Sequence, residues 1–249
     1  MKSIHTVAVI GLGTMGHGIA QAFASQGVLV RGYDEALAAR EAVHERVRNN
    51  LDEFVRYGLF PVDQIDAVLA RISTHDLIAA ACQGATFVVE AVREDLITKQ
   101  ALFAELEHHV SPRTILASNS SSFPISQSGA RLRHPERALV THWFNPPHIV
   151  PTVEIVPSPR TSEDVIQITL ALHQHIGKLA IVIRKELPGF LVNRVQVAVM
   201  REVWDLLQQG VATIEDIDAA IRGSMGFRLA ALGPLQIHDF GGLDIQATV

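Results

Sequence analysis

The sequence predicts a doubly wound α/β domain built on a mostly parallel sheet, followed by a smaller all-α domain. Three observations predict it. Short apolar runs rich in Val and Ile alternate with longer helical patterns. Those runs are apolar throughout rather than at every second residue, as strands covered by helices on both faces are. Past residue 186 the strand-like runs stop.

The elements follow in order. A strand at 6–10 runs into Gly11-Leu12-Gly13-Thr14-Met15-Gly16 and a helical pattern over 14–26; a second strand at 28–33 ends on Asp34. Helical patterns at 35–57 and 62–70 lead to strands at 86–89, 114–117, 138–141, 153–156 and 179–183, with helices at 98–110 and 162–176 among them. The last helix opens with Thr161-Ser162-Glu163-Asp164, a capping hydroxyl followed by acids that suit the positive end of a helix dipole. Beyond Leu187-Pro188-Gly189 come only helical patterns, at 190–209 and 213–222. The first is apolar on more than one face, with Phe190, Leu191, Val195, Val199, Val203, Trp204 and Leu207 interspersed with Val192, Val197 and Leu206. Such a helix must be covered on several sides. The domains are therefore placed at 1–186 and 187–249, and the helical one is expected to meet a second chain.

Composition narrows the function classes. The 249 residues are 48% hydrophobic and 19% charged, which excludes collagen-like, disordered and disulfide-scaffold chains. A net charge of −5 offers no positive field for nucleic acid. Cys82 is the single cysteine, so neither an intrachain disulfide nor a four-cysteine zinc site is available. Met1-Lys2-Ser3-Ile4-His5 lacks the zones of a signal peptide, and no stretch approaches the roughly 18 apolar residues of a membrane span. A cytoplasmic protein with no membrane partner is expected.

The glycine turn carries the first chemistry. It follows a strand, opens a helix and precedes Asp34 by about the 20 residues that separate a phosphate-binding turn from a ribose-binding acid. Gly11 permits the tight turn, Gly13 admits a pyrophosphate to the backbone, and Gly16 lets helix and strand pack closely. Thr14 and Met15 lie at the helix N-terminus, whose free N–H groups suit phosphate. Asp34 would hold both ribose hydroxyls and repel a 2′-phosphate. The domain is thus Rossmann-like and the expected cofactor is NAD rather than NADP.

Three further polar clusters stand at successive strand ends, where such sheets bind their ligands. They are Glu90-Ala91-Val92-Arg93-Glu94 with Lys99, then Ser118-Asn119-Ser120-Ser121-Ser122, then His142-Trp143-Phe144-Asn145 before Pro146-Pro147. In that order and spacing, with Glu154, Pro188-Gly189-Phe190-Leu191-Val192-Asn193-Arg194, Gly233-Pro234 and Gly242-Leu243-Asp244, the chain resembles the 3-hydroxyacyl-CoA dehydrogenase family. The resemblance implies an NAD-dependent oxidoreductase acting on CH–OH, with a small-molecule substrate, acyl-CoA or a related hydroxy acid. It implies that His142 takes the hydroxyl proton and Glu154 orients it, as imidazole chemistry near neutral pH allows. It further implies that Ser121 and Asn193 bind the substrate oxygen, and that Glu94, Lys99, Asn119 and Asn145 serve the cofactor. The helical domain would serve substrate and homodimer contacts. In the family it runs on past the Gly-Leu-Asp element, so it reads as incomplete at 249.

Other features have plainer readings. His142, His148 and Glu154 have the spacing of a metal site without a second shell, and no metal is expected. His108-His109 and His173-x-His175 are expected to be solvated at helix ends, and Cys82 to be a small buried apolar residue. Two features open a second substrate class. The Asn145-Pro146-Pro147-His148 wording is similar to relatives that oxidise a pyridine-ring aldehyde or alcohol. Between Asp34 and Thr86 the basic residues are Arg40, Arg46, Arg48, Arg56 and Arg71, with no lysine of the kind CoA-using relatives tend to carry. A non-enzymatic NAD-binding protein, redox-sensing or structural, is the remaining alternative.

Overall fold

The apolar runs of the sequence become the strands of one sheet. The computed structural model describes residues 4–241, and among them the chain separates into two units, one ending at Leu191 and one beginning at Val192. In the first unit β1 (Thr6–Ile10), β2 (Leu29–Tyr33), β3 (Ile72–His75), β4 (Phe87–Glu90), β5 (Ile115–Ser118), β6 (Ala138–Trp143), β7 (Thr152–Pro157) and β8 (Leu179–Val182) lie in the order β3-β2-β1-β4-β5-β6-β7-β8. Every pair is parallel except β6 with β7. The strand order reverses between β1 and β4, and that switch point is where an open α/β sheet forms its ligand crevice.

Strand periodicity sorts the core. Val7 and Val9 point to one face with Ile19, Phe23, Val47 and Leu51, while Ala8 and Ile10 point to the other with Phe103, Leu106, Leu116 and Val140. Each fully buried side chain of this size contributes about 1.5–3 kcal/mol. Helices α1 (Gly16–Ser25), α2 (Leu37–Arg56), α3 (Ile65–Leu69), α4 (Ile78–Cys82), α5 (Leu96–His109), α6 (Ile125–Ser128) and α7 (Glu163–His175) belong to this unit. Asp95 and Ser162 cap α5 and α7, each side chain accepting from the N–H three residues on.

Besides short helices that carry little periodicity, three departures from the sequence expectations have a physical reason. β3 is an extra strand: Ile-Ser-Thr-His buries only Ile72 and pairs at the sheet edge, so it carries no apolar run to read. His173 is fully buried rather than solvated, with ring centroids 5.3 Å from Trp143 and 6.0 Å from both Phe23 and Phe87. Its Nδ1–H donates to Thr169 O at 2.8 Å, and burial pushes its pKa down to about 4. Finally, Phe190 and Leu191 do not begin a helix. Gly189 and Phe190 have φ of 76° and 50°, and residues 188–191 belong to the first unit, with Phe190 buried in it.

The second unit is helical: α8 (Val192–Gln208), α9 (Ile214–Ile221), α10 (Phe227–Leu229) and α11 (Pro234–Gly241). Gly242-Leu243-Asp244 lies outside the described residues. Among the described residues no helix is long and apolar enough to cross a membrane.

Candidate active site

The glycine turn sits at the switch point, and its contacts show why glycines are needed. A Cβ on Gly11, at φ 96°, would stand 2.5 Å from Ala91 O beyond β4, and one on Gly16 would stand 1.7 Å from Gly11 O. A Cβ on Gly13 would meet nothing within 4 Å, so that position faces open space through which a ligand can reach the backbone. Helix α1 opens at Met15 with no side-chain cap and no acid in its first turn, leaving its N-terminal donors and dipole for an anion. Thr14 is exposed and Met15 half-buried at that end.

Asp34 stands beside the turn. Its Oδ2 accepts from Leu12 N at 2.7 Å and its Oδ1 from Ala36 N at 2.9 Å, which fixes the carboxylate in place. Each oxygen keeps acceptor capacity for a ribose hydroxyl. With Gly11, Gly13, Tyr33, Ala91 and Val92 it lines a cavity of about 620 Å³. An open glycine and a fixed acid in one cavity, with the uncapped start of α1 next in the chain, fit NAD.

Two carboxylates organise the next strand ends. Glu90, fully buried, accepts from Lys99 Nζ at 2.6 Å, Val92 N at 2.9 Å and Ser118 Oγ at 2.6 Å. Glu94 accepts from Ser120 Oγ, from Ser121 N at 3.1 Å and from Ser122 N at 2.9 Å, and pairs with Lys99 at 3.2 Å. Burial would raise the Glu94 carboxyl, but the Ser120 hydroxyl, the Lys99 ammonium and the Ser122 N–H outweigh it and hold it below its ordinary value. Lys99 itself is 1% exposed, sealed between the two carboxylates. An ammonium so enclosed reaches the crevice only through Glu94, which fixes the serine loop. Glu90 was legible only as a strand-end acid, and the signal for its pairing was a lysine nine residues on, across the turn into α5.

The catalytic pair expected from sequence is built by sheet register. His142 and Glu154 are directly opposite each other in the antiparallel β6·β7 pair, which puts both side chains on one face. Glu154 Oε2 lies 2.8 Å from His142 Nδ1, and both groups are buried. A carboxylate only accepts, so Nδ1 carries the proton, and in the neutral imidazole Nε2 then presents a lone pair. That lone pair accepts from Ser121 Oγ at 3.1 Å, on an exposed residue of the loop that Glu94 fixes. Glu154 Oε1 also accepts from Leu191 N at 3.2 Å. The rings of Phe144 and Phe190 flank the imidazole at centroid distances of 4.5 and 5.4 Å. This is a buried imidazole with one nitrogen held and the other directed at a hydroxyl.

The remaining expected residues are placed separately. Asn119 is half-buried, its Oδ1 accepting from Trp143 N at 3.0 Å, which ties the end of β5 to β6. Asn145 is exposed, just before a cis peptide bond to Pro146. Asn193 lies in α8, in the second unit. Phe190, expected in a helix, instead covers the histidine; the two left-handed residues that turn it inward leave no periodic signal.

Comparison with known proteins bears on the whole chain. A family model described as the NAD binding domain of 3-hydroxyacyl-CoA dehydrogenase matches residues 6–187, and one described as its C-terminal domain matches residues 189–249. The chain is 35% identical over 246 residues to 5-formyl-3-hydroxy-2-methylpyridine 4-carboxylate 5-dehydrogenase of Mesorhizobium japonicum, covering 99% of this chain and 79% of that protein. It is 35% identical over 241 residues to a probable 3-hydroxybutyryl-CoA dehydrogenase of Bacillus subtilis, covering 97% and 82%. Among solved structures it is similar to a 5-formyl-3-hydroxy-2-methylpyridine 4-carboxylic acid 5-dehydrogenase described as an NAD+-dependent dismutase. There the TM-score is 0.91 at 34% identity, covering 99% of this chain and 79% of that one.

Proposed function

The chain belongs to the 3-hydroxyacyl-CoA dehydrogenase family and is an NAD-dependent oxidoreductase acting on CH–OH; from that premise we propose that it interconverts a 3-hydroxyacyl-CoA and the 3-oxoacyl-CoA. The observation that carries the reading is the imidazole of His142, buried between the Glu154 carboxylate and the Ser121 hydroxyl. When bound, NAD supplies the hydride acceptor. His142 Nε2 takes the hydroxyl proton of the substrate, and Glu154 stabilises the imidazolium that forms, as the acid does in hydrolase triads. Ser121 holds the substrate oxygen. Glu94, Asn119 and Asn145 serve the nicotinamide half of the cofactor, with Lys99 behind Glu94. Gly11, Gly13, Thr14, Met15 and Gly16 hold the pyrophosphate, and Asp34 the adenosine ribose.

The test is NAD reduction with short-chain L-3-hydroxyacyl-CoA, followed by nicotinamide absorbance. Turnover is expected, and His142→Gln is expected to lower kcat about a thousandfold while NAD affinity stays unchanged. An NAD-binding preparation that turns over no acyl-CoA overturns the CoA assignment. A second reading keeps the same chemistry with a free hydroxy acid or a pyridine aldehyde or alcohol. The Asn145-Pro146-Pro147-His148 segment and the similarity to the pyridine dehydrogenase favour it. A higher kcat/KM for 5-formyl-3-hydroxy-2-methylpyridine 4-carboxylate than for any acyl-CoA selects that reading.

We also propose a homodimer through the helical unit, in a cytoplasmic setting that suits the single thiol. Helix α8 buries no residue along its seventeen positions, although Val195, Val197, Met200 and Trp204 are large and apolar. A second chain would supply the cover.

A further inference from the structure

Lys178 lies at the entry to β8, outside every role assigned above. Its Nζ donates to Pro147 O at 2.7 Å and to Val150 O at 2.8 Å, and stands 5.1 Å from the centre of the Trp143 ring. The two carbonyls belong to residues 144–151, the segment that joins the His142 strand to the Glu154 strand. Ile149 N and Val150 N both return to Pro146 O, at 3.0 and 2.9 Å, so the segment is one closed turn. Its other side rests on the dinucleotide helix: a Cβ on Gly18 would stand 2.7 Å from Pro147 Cγ and 2.9 Å from His148 Nδ1. The lysine is half-buried, and desolvation pushes its pKa down to about 8. An ammonium held there against desolvation has its hydrogen bonds to the turn as compensation.

We propose that Lys178 is a positioning residue, clamping the 144–151 turn against α1 and thereby setting Asn145 for the cofactor. The proposal rests on the reading above in which Asn145 serves NAD. The sheet register itself holds His142 opposite Glu154, so the clamp acts on binding more than on the proton transfer.

Lys178→Met removes the charge and donors while keeping an unbranched chain of similar length. It is expected to weaken NAD binding and raise KM for NAD about tenfold, with kcat changed less than about threefold. Lys178→Arg, which can reach both carbonyls, is expected to restore most of the affinity. Hydrogen exchange reads the clamp without any catalytic assumption. In the Met variant the amides of Ile149 and Val150 are expected to exchange faster, while those of β1 and β4 keep their protection. Unchanged exchange in the turn overturns the clamp, and a fall in kcat with KM for NAD unmoved overturns its action on cofactor binding. So does an Arg variant no better than Met. If exchange speeds up but NAD affinity holds, and Asn145→Ala is equally silent, the clamp stands as geometry, and the role given to Asn145 and the cofactor effect of Lys178 are overturned.

Discussion

The two units of this chain treat apolar residues in opposite ways. In the first, β1, β4 and β6 are closed off on both faces, and Val7, Val9, Phe23, Phe87 and Leu139 have no exposed surface at all. In the second, among the described residues, Ile217 is the buried apolar side chain, while Val195, Trp204, Phe227, Leu235 and Phe240 are exposed. Both segments are apolar in sequence. The difference teaches that apolar patterning states a need for cover without saying which chain provides it. His142 and the groups that hold it lie in the unit that covers itself, so their geometry is set by its own sheet.

The sharpest way to break the comparison is to overfill the first unit. Gly16→Ala drives a methyl into the backbone carbonyl of Gly11, which cannot swing aside as a flexible side chain can. A destabilisation of about 3 kcal/mol or more and loss of NAD binding are expected in denaturant melts and cofactor titration. Tolerance would mean the first unit is less closely packed than its burial implies. Next is the second unit: Trp204→Glu on α8 should shift a dimer to monomer in light scattering, by about 2 kcal/mol of association. NAD affinity in the first unit should be unaffected. A variant that stays dimeric would place the cover elsewhere.

A smaller effect tests the serine loop. Glu94 is held ionised below its ordinary value, so its contribution to stability is present above the unfolded-state value near 4.5 and is lost as pH falls through the lower folded value. Ser120→Ala removes the hydroxyl that donates to the Glu94 carboxylate, so acid unfolding should begin at higher pH. An unmoved acid limb would assign the effect to Lys99 and the backbone instead. Smallest of all is Cys82, in the covered unit, whose thiol burial pushes up to about 11. Native protein should resist a thiol-alkylating reagent at neutral pH, and denatured protein should react at once.

Much of the first unit was legible because its signals are local. The glycine turn, Asp34 and seven of the strands follow from short runs in which every residue has one job. His142 and Glu154 were legible as members of a pattern. Their apposition is a matter of register, set by the length of the 144–151 turn, and no local signal encodes it. His173 misled for a related reason: it ends a helix, where side chains usually meet water, but α7 lays its last turn on Phe23, Phe87 and Trp143. Phe190 misled because a left-handed aromatic residue, costing about 1–2 kcal/mol, is set by packing rather than by preference. Lys178 gave no sign at all, since its partners are backbone carbonyls that any sequence possesses.

Phe190 and Leu191 have a bearing on ancestry and on engineering. The peptide that leaves the nucleotide-binding unit is also the one that covers His142 with a ring and donates an N–H to Glu154. Exchange of C-terminal modules, by recombination or by design, therefore has a permitted seam. Joined after Leu191, a new module inherits a dyad whose cover and donor are intact. Joined before Pro188, it brings its own residues to both tasks, and the graft succeeds only if they turn the same way.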